Sequence, residues 1–221
     1  MLAAIALIPS APILVPELAG AAAEEVADLR AAVLAVAAQL PSRWVAVATG
    51  QDSAVVGPQA VGTFAGYGAD IVVTLSPESD GAVTDLPLGA LITGWVRANA
   101  APDAVAEVHI IGPDTDTRSL RAVLDATDDP IGVLVVADGA NTLTATAPGG
   151  FDPDSVSEQN RLDDALAAGD TANLPEVAVG AVGRDAYRAA ADLVGSAPVV
   201  ASEFYRGAPY GVGYFVGTWR L

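Results

Sequence analysis

Short apolar runs that stop abruptly at proline, glycine or acidic residues recur along this chain, and stretches with helical spacing separate them. This alternation constrains the fold more than any other feature. Leu2–Ile8 (LAAIALI) ends at Pro9, and Trp44–Ala48 (WVAVA), Ile71–Leu75 (IVVTL), Val108–Ile111 and Gly132–Val136 are further runs of strand length. Such runs, with few or no polar residues between the apolar ones, read as strands buried on both faces. Ala21–Leu40 carries Val26, Leu29, Val33, Leu34 and Val36 at helical spacing, with Glu24, Glu25 and Asp28 in the expected opening turns and Pro41 as its stop. Leu86–Asn99, Ser119–Asp125, Asp154–Ala168 and Gly183–Val194 read as further helices, while Val199–Ala201 and Gly213–Gly217 read as a closing antiparallel pair of strands. The pattern predicts an α/β protein: a single-domain helix/sheet/helix sandwich with a central, mostly parallel or mixed sheet, spanning residues 1–221.

Length and composition agree with one domain. The 221 residues suffice for a sizeable core, but much of the 52% apolar content is alanine and only 5% is aromatic. Alanine buries little area per residue, so the Val, Leu and Ile runs must supply the burial. The three tryptophans, Trp44, Trp95 and Trp219, read as packing anchors. Charge is one-sided, with 27 acidic residues against 10 basic ones, all arginine, and a net of −17. That surface repels phosphate backbones and anionic leaflets, so neither nucleic acid nor membrane is an expected partner. There is no cysteine, which excludes disulfides, thiolate metal sites and Cys nucleophiles, and the lone His109 excludes a site built from several imidazoles. Pro9, Pro12 and Pro16 interrupt the apolar N-terminus and no basic residue precedes it, so a cytoplasmic protein without a leader is expected.

In sheets of this kind, sites form where loops leave the C-terminal strand ends. Three such loops carry polar side chains: Pro9–Pro16, Thr49–Ser53 and Ala137–Gly150. GPDTDTR (Gly112–Arg118) lacks the downstream Gly and Glu of a calcium loop and reads as a turn into a helix capped by Thr117 or Ser119. His109 reads as a core or edge-strand residue.

The three site loops and the terminal segment resemble a known family. IPSAPILVPEL (Ile8–Leu18) is similar to the PHPPLLVPE opening of LigB-like class III extradiol dioxygenases, and VAVATGQDS (Val45–Ser53) to their VVISPHGP segment. VVADGANTLTATAPGGFDP (Val135–Pro153) resembles GDLSHRLTPDAPGGYDP, with RLDDALAAGD (Arg161–Asp170) following as the next helix, and APYGVGYFVG (Ala208–Gly217) resembles PFGVGYLVA. The resemblance implies the LigB-like fold and a non-haem Fe(II) held by two His and a carboxylate, with a third His for acid–base work. The departures fall on those residues. Ser10 and Gln51 stand where the two metal imidazoles would be and Asn141 where the third His would be, while Asp138 keeps the family's Asp and Glu203 is a candidate for the carboxylate ligand. Hydroxyl and amide groups are poor ligands for Fe(II), and an amide cannot relay a proton near neutral pH. No cofactor and no catalytic residue is therefore expected.

Ser10, Gln51, Asp52, Asp138, Asn141 and Glu203 form the expected degenerate cleft. They either line a pocket reused for a small molecule or a protein partner, or only satisfy loop backbones, as Ser, Asn and Asp commonly do. Two rivals stand beside that reading: a dioxygenase-like or hydrolytic enzyme with a metal held by Asp52, Asp138 and Glu203, and a structural homo-oligomer. Tyr205, Tyr210 and Tyr214 are candidates for the cleft wall or an oligomer contact.

Overall fold

The computed structural model describes the backbone of residues 1–221 and every side chain except those of Arg118, Ser119 and Val123. The strands are β1 (Leu2–Ile8), β2 (Arg43–Thr49), β3 (Ala54–Val56), β4 (Val61–Thr63), β5 (Val72–Thr74), β6 (Val83–Thr84), β7 (Val105–Ile111), β8 (Ile131–Val136), β9 (Val200–Gly207) and β10 (Tyr214–Arg220). The helices are α1 (Pro16–Ala19), α2 (Ala27–Ala37), α3 (Leu88–Ala100), α4 (Arg118–Asp125), α5 (Pro153–Ala168), α6 (Leu174–Val177) and α7 (Arg184–Val194).

Seven strands form the main sheet in the order β3-β7-β2-β8-β1-β10-β9. Its middle, β7-β2-β8-β1, is parallel, and β3 on one side and β10 and β9 on the other run antiparallel to their neighbours. This is the expected mixed sheet between two helical layers. Strand periodicity divides the apolar residues into two cores. Ala6 and Ile8 of β1, Trp44, Ala46 and Ala48 of β2, and Leu134 and Val136 of β8 face α2 and α3. Ile5, Leu7, Val45, Val47, Val133 and Val135, alternating with them, face α4, α5, α6 and α7. β8 is buried along its whole length, which is why its sequence shows no polar alternation. Trp44, Trp95 and Trp219 are all buried, as expected of anchors.

Local chemistry sets the boundaries. Asp152 caps α5, its carboxylate accepting from the Asp154 N–H at 3.0 Å, with Pro153 in the first turn and Gly169 in the left-handed conformation (φ 66°) beyond the last. The helix expected over 21–40 is shorter: a 3-10 turn occupies Gly20–Ala23 and α2 begins only at Ala27, so Glu24 and Glu25 precede it. The 9–16 segment expected as extended contains a proline-led turn at Pro12–Leu14 and leads into α1. The IVVTL run does form a strand, but in a separate three-stranded sheet, β5-β4-β6. That sheet is tied to α3 by the buried Arg97, which donates to the Thr74 carbonyl and hydroxyl at 2.9 Å each. Thr117 does not cap α4; its hydroxyl donates to Asp192 at 2.8 Å, and the alternative cap, the Ser119 side chain, lies outside the described residues. His109 lies in β7, its Nε2 2.8 Å from Glu107 Oε1, as suits a strand residue. Among the described residues no helix is long and apolar enough to cross a membrane.

Candidate functional site

The parallel strands β1, β2 and β8 end side by side, and the loops leaving them open a cleft of about 190 Å³. Ser10, Thr49, Leu88, Gly89, Asp138 and Gly183 contribute to its wall. Close backbone approach shapes it. A Cβ on Gly89 would stand 2.2 Å from the Ala48 Cβ, and one on Gly183 would stand 2.4 Å from the Ala137 Cβ. Both positions therefore need glycine for space. The Gly183 N–H donates to the Asp138 carbonyl at 2.8 Å, and the Val182 N–H donates to the Gly139 carbonyl at 3.0 Å, so the segment before α7 is laced along the strand end. Thr49 is held too, its hydroxyl accepting from the Ala186 N–H at 3.1 Å.

Asp138 is the titratable group of this cleft. Its Oδ1 accepts from the Ser10 N–H at 2.8 Å, and among the described residues nothing donates to Oδ2. The residue is half-buried by surface area, its burial concentrated on the carboxyl. Burial pushes that carboxyl up to about 7, the Ser10 bond working in the opposite direction. The Tyr187 hydroxyl donates to the Ala137 carbonyl at 3.0 Å, and its own ionisation is pushed well up by burial, with the Asp138 charge adding to the effect. Tyr214, buried on the opposite face, is pushed up by the same two causes in the same order.

Of the six residues expected in the cleft, the fold brings together Ser10 and Asp138. Gln51 and Asp52 follow β2 but are exposed, and neither reaches the cleft wall. Asn141 is half-buried within its own loop, where its main-chain carbonyl accepts from the Gly149 N–H at 2.9 Å, and it does not line the cleft. Glu203 lies on β9, separated from β1 by β10, and pairs with Arg206 at 2.6 Å. Of the tyrosines, Tyr210 is exposed and donates to the Glu25 carboxylate, and Tyr205 is half-buried against the core beside α2.

Fe(II) in a two-His, one-carboxylate site needs three converging donors. The positions matched to the imidazoles hold Ser10, whose neutral hydroxyl is a poor ligand for Fe(II), and the exposed Gln51, while Glu203 is two strands away from β1. These residues do not fit the metal. Among the described residues no three His, Asp or Glu side chains gather as ligands, so Asp52, Asp138 and Glu203 do not form the alternative oxygen site either.

Two polar residues escaped the sequence reading. Gln159 and Asp163, one turn apart on α5, are both buried on its inner face beside Leu162 and Leu166. Gln159 Oε1 accepts from the Ala140 N–H at 2.8 Å and Nε2 donates to Asp163 Oδ1 at 2.8 Å. A polar i, i+4 pair at core positions of the helical period was the available signal.

No family model matches the chain, and no curated protein matches it. Among solved structures it is similar to the crystal structure of uncharacterized protein JW3007 from Escherichia coli K12. The TM-score is 0.55 at 13% identity, over 99% of this chain and 100% of that one. At that identity the likeness bears on the fold alone, and it agrees with the α/β sandwich.

Proposed function

We propose that the chain is a LigB-like protein that has lost iron-dependent ring cleavage and binds a small molecule in the cleft at the ends of β1, β2 and β8. The observation that carries this reading is Asp138: a half-buried residue at a strand end that lines the cavity, with one carboxylate oxygen free of donors among the described residues and its carboxyl pushed up to about 7 by burial. Such a group donates a hydrogen bond when protonated and accepts one when ionised, and near neutral pH both forms are populated. The cleft also holds the first residues of α3, Leu88 and Gly89, and no side chain caps that helix. A ligand oxygen is thus met by a carboxyl proton on one side and helix N–H groups on the other. At about 190 Å³ the cavity is below the roughly 300 Å³ of drug-sized sites, so the ligand is a compact, oxygen-bearing molecule. Family membership is supported by the order and spacing of the matched segments, three of which contribute residues to this cleft.

The test has two arms. Protein purified without chelator is assayed for bound metal and for catechol cleavage, and acetate and acetamide are titrated while the Ser10, Asp138 and Gly183 amides are followed by NMR. The expected result is no stoichiometric iron, no ring opening and saturable shifts at those amides that vanish in Asp138→Ala. Stoichiometric Fe(II) with turnover would overturn the reading, and so would shifts that survive the substitution.

A further inference from the structure

A second cavity, of about 400 Å³, lies between α5, the end of β9 and the 143–144 segment, apart from the Asp138 cleft. Its apolar wall is Leu143, Val156 and Ala208, and its polar wall is Gln159, Asp163 and Arg206. Asp163 is 6% exposed, and Gln159 supplies a hydrogen bond to its Oδ1 alone. Among the described residues nothing donates to Oδ2. The neighbours that could serve that oxygen are committed elsewhere. Gln159 is wedged between two glycines: a Cβ on Gly139 would come within 2.1 Å of its side chain and one on Gly213 within 2.3 Å. Arg206 donates Nε and Nη2 to Glu203 Oε2, at 3.0 and 2.6 Å, Nη1 to Asp164 Oδ1 at 2.8 Å, and Nη2 also to the Asp163 main-chain carbonyl at 3.5 Å, leaving the Asp163 carboxylate unserved by this side chain.

We propose that this cavity is a binding site for a small organic amine, whose ammonium group meets Asp163 Oδ2 and whose apolar body lies against Leu143, Val156 and Ala208. The sign of the ligand follows from charge: Asp163, Asp164 and Glu203 oppose the single guanidinium of Arg206, within a chain of net −17. An anion is repelled, and a neutral alcohol forgoes the charge-assisted bond. A bare divalent cation needs six or more oxygens, and among the described residues no three carboxylate or imidazole side chains gather here to hold one. The size and the mixed lining suit a ring or short branched chain with one charged end.

Cyclohexylamine is the probe, with cyclohexanol and cyclohexanecarboxylate as controls of like shape, each titrated into the full chain and followed by amide NMR. The amine should give saturable shifts at Ala140, Leu143, Gln159 and Asp163, binding at least tenfold more tightly than cyclohexanol, and the carboxylate should give none. Asp163→Asn should weaken the amine tenfold or more. Val156→Trp, at an exposed position on the cavity rim, should exclude both amine and alcohol and keeps the test decisive if the buried substitution fails to fold. Asp138→Ala should leave amine binding unchanged, which separates this site from the strand-end cleft. Equal affinity for amine and alcohol, amine shifts that persist in Val156→Trp, or no saturable shift at these amides would each overturn the proposal.

Discussion

Asp138 and Asp163 are both enclosed carboxyls, yet the protein holds them by different means. Asp138 sits at a strand end and is met only by a main-chain donor, the Ser10 N–H, and burial carries it up to about 7. Asp163 sits in mid-helix and is met by a side chain, Gln159, with the Arg206 charge also nearby; burial carries it only to about 6. Desolvation sets the direction in both, and the polar neighbours set how far it goes. The comparison separates a group fixed by the backbone, whose environment survives most substitutions, from one fixed by a side chain that a single substitution removes.

The largest effect that could break this comparison is the pH dependence of stability. Asp138 has a folded pKa raised from 3.8 to about 7. Its contribution to stability is therefore fully present below pH about 4 and is lost as pH rises through 7. About three units correspond to roughly 4 kcal/mol as an upper bound. Urea midpoints between pH 4 and 8 should fall steeply in the native protein and less in Asp138→Asn, which keeps an oxygen for the Ser10 N–H. The fall that remains is that of Asp163, complete by pH about 6, so the fall between pH about 6 and 8 is the part that should disappear. An unchanged slope would mean that the carboxyl is not enclosed as described.

Next in size is Gly183→Ala. Its Cβ would meet the Ala137 Cβ at 2.4 Å, the Ala137 Cα at 2.8 Å and the Asp138 N at 2.9 Å, two of them backbone atoms that cannot turn aside. A loss of roughly 3 kcal/mol in urea unfolding is expected. Asp138-cleft binding should fall while amine binding beside Asp163 is retained.

Gln159→Leu sharpens the contrast from the other side. It leaves the Ala140 N–H and Asp163 Oδ1 without partners, at a cost of roughly 2 kcal/mol. Because the Gln159 bond holds the Asp163 pKa down, the substitution should raise it further. Carboxyl-detected NMR titration reads that rise, and Asp138 should titrate as before.

The fold was legible in the sequence where burial was two-sided. VLVV in β8 and VAVA in β2 carry no polar residue because both faces are covered, so their identity as inner strands shows in composition alone. IVVTL looked the same, but it packs against α3 in the small sheet; a short run carries its strand character and not its pairing partner. β3, β4 and β6 have two or three residues each, too few for a period to register. At the site, Ser10 and Asp138 were legible because each lies two residues past the end of an inner strand, and β1 and β8 are neighbours whose ends bring the Ser10 N–H to the Asp138 carboxylate. Gln51 lies just as close to the end of β2 but is exposed and outside the cleft wall, so nearness to a strand end does not by itself place a side chain in the cleft. Asp52 and Asn141 lie further into their loops. Glu203 was misleading for a different reason: its strand is the sheet edge, and its side chain faces α5 and Arg206. Gln159 and Asp163 were hidden because polar residues on a helix normally mark its wet face, and here they mark an inner one.

The smallest effect tests how the strand-end cleft is held open. Thr49 lines that cleft, and its hydroxyl accepts the Ala186 N–H at the start of α7. Thr49→Val keeps the volume and the β-branch that suits the end of β2 and removes only the acceptor. That N–H, in the first turn of α7, has no other partner among the described residues. The expected cost is about 1 kcal/mol in urea unfolding. Faster amide exchange should appear at Ala186 and Tyr187, with none at Gln159 or Asp163. If exchange quickens equally at both, the two carboxyl sites share one opening motion and are not held independently.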